Sequence, residues 1–256
     1  MNKKKSSKKR SIISKSYAVS RIDKMLPLIV ENVRISIQLE SMLETGNEVI
    51  GEIRGGEANG PHWYGAHCYN TVINSVILNF ALSLAKLFDP GTKRIHPNKR
   101  DVASIPLLLR LMKQKRCQAA LVARSRQWTS EMGSIVQHHE AIAQREIDEA
   151  LAAYAKLTRA HSGRAAAATL KTFRDKKLAH SLIDPALKSL PRFEQLFFLL
   201  NTAMEIIAHV RLAVTGQNWQ PEGFRKEARR QGKAFWSPAI KAVIEAERQF
   251  VRVRLE

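Results

Sequence analysis

Arg174 and His180, six positions apart in Lys171-Thr-Phe-Arg-Asp-Lys-Lys-Leu-Ala-His180, are the residues of this chain best suited to act on a phosphate. Imidazole titrates near neutrality and can trade a proton with an attacking or a leaving oxygen. A guanidinium stays charged, and its planar fork matches the non-bridging oxygens of a phosphate on which charge is building. Asp175 follows the arginine and is placed to orient Arg174 or His180, while Lys176 and Lys177 add positive charge between them. On a helix, six positions turn the two side chains about 120° apart and separate them by about 9 Å along the axis. They would then serve a cleft beside the helix, with the opposite wall supplied by a two-fold partner. A helix C-terminus favours the imidazolium of His180 and the neighbouring lysines oppose it, so the sign of its shift stays open. The competing possibility is a basic helix with a histidine near its end.

The elements that must position this segment follow from local pattern. Ser162 and Gly163 precede Arg164 and a run of four alanines, which favours a new helix, and Asp184-Pro185 should end it. Upstream, Leu84-Ala-Lys-Leu-Phe-Asp89 closes an apolar helix expected over 71–88, and Ser104 is placed to cap the next one, with Pro106 in its first turn. Between them, Lys93, Arg94, Lys99 and Arg100 stand in a Pro-bounded loop. That loop either guides a phosphate backbone or is a solvated run of charge.

The Arg-(four to six residues)-His spacing resembles the motif of the HEPN superfamily. The Leu-Phe-Asp helix end, the Ser-Ile helix start at Ser104 and the Arg-Asp-Lys…Ala-His segment, in that order, look like the abortive-infection, AbiU-type branch of it. The resemblance spans about residues 60–215. It implies a compact helical domain, a homodimer, and metal-independent cutting of RNA with no cofactor. The catalytic residues it implies are Arg174, Asp175 and His180, with Lys176, Lys177, Lys93, Arg94, Lys99 and Arg100 on the RNA. The role is that of a toxin or phage-defence protein with an antitoxin or regulatory partner. A non-catalytic, HEPN-like nucleic-acid-binding or structural protein is the alternative. Related toxins modified by a nucleotidyltransferase carry a tyrosine two positions after the histidine, where this chain has Leu182.

Composition agrees with a nucleic-acid partner. The formal charge is +19, and +12 remains when the seven Lys and Arg of the first fifteen residues are set aside. Residues 1–16 form a basic arm without the composition of a core, able to hold RNA by counterion release or to act as a solubility tail. Ser11-Ile-Ile-Ser-Lys15 breaks the apolar run that a signal peptide needs, and two distant cysteines, Cys68 and Cys117, give no disulfide framework. A cytoplasmic protein with no membrane partner is expected.

Along the rest of the chain, apolar residues from Ile22 to Leu43 recur at helical spacing and predict a helix over 19–45. Five glycines between Gly46 and Pro61 mark a flexible connection without the pattern of a phosphate loop. His62 and His67 miss the i, i+4 spacing of helical metal ligands. Arg116–Gln127 is mixed in character. A long helix should run from Thr129 to about Ala160, with His138 and His139 on an exposed or interface face, and another from Pro191 to about Val214. Beyond Gly216 and Pro221, basic residues alternate with Phe224, Phe235 and Trp236, which suits a surface helix anchored by its aromatics or a base-stacking surface. No stretch alternates with period two, so the fold class is all-α: a HEPN-like helical bundle over 17–215, with extra C-terminal helices over 216–256.

Overall fold

The computed structural model describes residues 14–53, 65–91, 100–128, 136–175 and 191–255. Within them the chain is all-α, with eight helices and no strand: α1 (Lys15–Ile53), α2 (Ala66–Leu87), α3 (Ile105–Met112), α4 (Lys115–Ser125), α5 (Val136–Arg159), α6 (His161–Phe173), α7 (Phe193–Thr215) and α8 (Pro221–Leu255).

The spine is α1, about 58 Å long at 1.5 Å per residue. Ala18, Ile22, Met25, Leu26, Ile29, Val33 and Ile37 recur every three or four residues and are buried against α2, α3, α4, α7 and α8. The helix does not stop near residue 45, as its sequence suggests. Gly46 lies inside it because a second, smaller core of Leu43, Val49, Ile73, Trp236 and Ile240 needs close approach there. A Cβ at Gly46 would meet the Trp236 ring at 3.1 Å, so packing outweighs the helix cost of glycine.

Where α2 crosses α1, small polar residues replace bulk. The buried hydroxyls of Ser36 and Ser83 lie 2.8 Å apart, and Ser83 also donates to the Asn32 carbonyl at 3.1 Å. The second half of α2 (Phe80, Ala81, Leu84, Ala85, Leu87) is core, but Val72 and Leu78 are exposed. By length and composition α2 and α7 could each cross a membrane. In this fold both contribute buried faces to the same core. Ser104 precedes α3 in extended geometry but makes no side-chain cap, and its buried Oγ has no partner. Pro106 at the second helical position has no N–H to offer it.

The mixed segment after α3 proves helical. Cys117, Leu121 and Ser125 give α4 a narrow buried edge. Arg124 then ties α4 to Asp23 at 2.8 Å and to the Val214 carbonyl at 3.0 Å. Small residues on α5 (Ala143, Ala150, Ala153) alternate with Ile147 and Leu157 toward α7, and Glu146 meets His209 at 2.6 Å. His138 is exposed, as expected, but His139 is buried with its ring 5.7 Å from that of Trp128 and not on the exposed or interface face expected for it. Trp128 also covers Gly216, whose φ of +71° ends α7 in the left-handed conformation that glycine adopts freely.

Past Pro221 the chain forms one helix of 35 residues. It lies along α1 through Arg225–Glu40 at 2.8 Å, Arg229–Glu44 at 2.8 Å and Lys233–Glu52 at 2.7 Å, and Trp236 donates to the Met42 carbonyl at 2.9 Å. Three basic residues at helical spacing thus face a row of acidic ones, and Trp236 and Phe224 anchor the helix to the bundle, whereas Phe235 is exposed.

Candidate active site

The corner between α5 and α6 sets the position of the site. Ala160 alone joins the two helices, in extended geometry. Gly163, in the first turn of α6, approaches α5 so closely that a Cβ would sit 2.2 Å from the Leu157 carbonyl oxygen. From that pivot, Gly163, Ala166, Leu170 and Phe173 form the buried edge of α6, and the opposite edge carries Lys171 outward. At Arg174 and Asp175 the helix widens into a π turn. Such bulges re-aim side chains and occur often at functional positions.

Arg174 emerges there with its side chain 24% exposed. Its Nε and Nη2 donate to Asp175 Oδ1 at 2.8 and 2.7 Å, and its Nη1 lies 2.9 Å from Asp89 Oδ2. The other oxygen of Asp175 accepts from Lys171 Nζ at 2.6 Å. Asp89 comes from the end of the Leu-Phe-Asp segment, and its Oδ1 accepts the Gly91 amide at 2.8 Å, which holds the carboxylate toward α6. Burial alone would lower the Arg174 pKa, but hydrogen bonds to Asp175 and Asp89 outweigh it and raise the value above the usual one. Burial likewise raises Asp175, but Lys171 and Arg174 outweigh that and hold its carboxyl below the ordinary range. A carboxylate held in this way is a positioning group and a poor base.

The structure therefore brings together Arg174, Asp175, Lys171 and Asp89. The sequence assigns no role to Asp89, although it ends the Leu-Phe-Asp segment, because its pairing with Arg174 is a tertiary fact. His180, Lys176 and Lys177 lie outside the described residues, as do Lys93, Arg94 and Lys99. Arg100 is described and donates to the Pro90 carbonyl, one residue from Asp89. Pro90 and Asp89 border, with Ala167 and Arg174, a cleft of about 20 Å³, room for one water-sized group. Among the described residues no cluster of His, Cys, Asp or Glu could hold a metal.

Among protein families, the model HEPN_AbiU2, described as AbiU2, matches residues 59–235. That span contains Asp89, Arg174 and His180 and runs into α8 as far as Phe235. No curated protein and no solved structure matches the chain.

Proposed function

The chain belongs to the HEPN AbiU2 family, and from that premise we propose that it is a metal-independent endoribonuclease of an abortive-infection system. In this reading the 2′-hydroxyl of one nucleotide attacks the adjacent phosphorus and the 5′-oxygen of the next nucleotide leaves. The products are a 2′,3′-cyclic phosphate and a 5′-hydroxyl. His180 takes the proton of the attacking hydroxyl or returns one to the leaving oxygen. Arg174 holds the non-bridging oxygens as charge builds. Asp175 and Asp89 aim the guanidinium without taking a proton.

The observation that carries the reading is the position of Arg174. A permanently charged group stands at a π turn on the rim of the bundle and is anchored by Asp89 from the other half of the family's sequence pattern. The small cleft beside it gives the site one wall, and a second copy of the chain across a two-fold axis would supply the other.

A non-catalytic reading has its own support, since both edges of the Arg174 guanidinium are engaged by carboxylates. RNA would have to displace one of them. Purified protein incubated with cellular RNA in EDTA separates the two readings. Cutting should persist, leave cyclic phosphate ends, and fall by roughly a hundredfold or more in His180→Ala. Cutting abolished by EDTA, or undiminished in His180→Ala, would overturn the mechanism. RNA bound but never cut by the wild type would leave the non-catalytic reading standing.

A further inference from the structure

We propose that the cleft between the N-terminal third of α1 and the segment 100–103 is a groove for single-stranded RNA, holding the strand that flanks the scissile phosphate. The proposal rests on the ribonuclease reading and deepens it. The cleft has a volume of about 520 Å³ and is lined by Tyr17, Arg21, Lys24 and Leu28 on one side and by Arg100 and Asp101 on the other. Three cations thus face one carboxylate. The α1 residues are spaced four, three and four apart, so they form one ridge about 16 Å long.

At the two ends of that ridge Tyr17 is 51% exposed and Leu28 is 58% exposed. Cations that follow a sugar-phosphate backbone, beside an aromatic face on which a base can stack, are how proteins bind single strands without reading sequence. A cleft of this size suits a ligand the size of one or a few nucleotides.

Arg100 joins this groove to the candidate active site. It donates to the Pro90 carbonyl, and Gly91 packs so closely on it that a Cβ there would lie 2.6 Å from Arg100 Cδ. Asp89, next to Pro90, holds Arg174. Arg174 is thus linked through Asp89 and Pro90 to Arg100, which lines the groove together with Arg21 and Lys24. The α1 wall lies before residue 59, outside the family match. In sequence it follows directly on six Lys and Arg within the first ten residues.

Fluorescence anisotropy of the full chain with a short, labelled, uncleavable 2′-O-methyl RNA strand tests the groove independently of cutting. Arg21→Glu/Lys24→Glu should weaken binding and make the dependence of log affinity on log salt shallower by about 1.4, two phosphate contacts' worth. Tyr17→Ala should weaken binding by roughly fivefold to a hundredfold with the salt slope unchanged, the mark of lost stacking. Arg21→Gln/Lys24→Gln gives the same slope reading if circular dichroism shows the charge reversal unfolded. Unchanged binding in both kinds of variant, or a duplex of the same sequence bound as tightly as the strand, overturns the groove. If the groove variants bind and cut as the wild type does while His180→Ala does not cut, the groove alone fails. If the wild type binds with both signatures but never cuts, the ribonuclease reading fails and the groove stands.

Discussion

Replacing Gly163 with alanine tests whether the α5–α6 corner sets the position of Arg174. The added Cβ would lie 2.2 Å from the Leu157 carbonyl oxygen, and ordinary contact begins at 3.4 Å. The obstacle is helix backbone and cannot rotate aside, so α5 and α6 must separate by about 1 Å at that point. Overpacking of this kind costs about 1–3 kcal/mol, and the better helix propensity of alanine returns at most about 1 kcal/mol. From the middle of that range the net loss is about 1–2 kcal/mol, which should lower the melting temperature by about 2–8 °C in a chain of this size. Gly223 is the control, because its Cβ would meet nothing within 4 Å. Gly223→Ala should leave the melting temperature unchanged or raise it by up to about 4 °C. Thermal melts followed by far-ultraviolet circular dichroism measure both. The displacement acts on α6 about 16 Å before Arg174, so RNA cutting should drop with Gly163→Ala even at temperatures where the variant is fully folded. Gly163→Ala melting at or above the wild type would refute the reasoning.

Two further outcomes follow from charged pairs. A double-mutant cycle with Asp89→Asn and Arg174→Gln, read by urea unfolding, should return a coupling of about 0.5–1 kcal/mol, modest because both side chains are partly exposed; a coupling indistinguishable from zero would mean that Asp89 does not hold the arginine. Burial pushes the Glu40 carboxyl up to about 7, although Arg225 lies 2.8 Å away and pulls it down. The folded state thus binds this proton more tightly than the unfolded one. Its stabilising effect is full below about 4.5 and is lost as pH rises through about 7. Between those two pH values the melting temperature should accordingly depend less on pH in Glu40→Gln than in the wild type, and two curves of equal slope would contradict it.

Periodicity makes most of the fold legible. The buried stripe of α1, the apolar face of α7 and the Leu-Phe-Asp end of α2 can all be read in the sequence, because few arrangements except a half-buried helix repeat apolar residues every 3.6 positions. Gly46 misleads because its role is contact with Trp236, a residue of the last helix. His139 misleads because adjacent histidines look polar in sequence, and only the fold puts Trp128 over one of them. At the candidate site, Arg174 and Asp175 are legible as chemistry, whereas the π turn that presents them and the carboxylate of Asp89 depend on how α2 and α6 meet. No local pattern encodes that meeting.

The ladder between α1 and α8 ties the first helix of the chain to the last. The Trp236–Met42 hydrogen bond joins residues 194 positions apart. During synthesis at roughly 5–20 residues per second, α1 is made about ten seconds or more before the helix that covers it. Its row of glutamates stays without its basic partners over that interval, and the second core, which needs Trp236 and Ile240, cannot close. A chain ending before Arg225 lacks the ladder and leaves the second core open, with Leu43 and Val49 uncovered by α8. Completion of translation is thus a condition for the finished bundle, and the last helix is the part that enforces it.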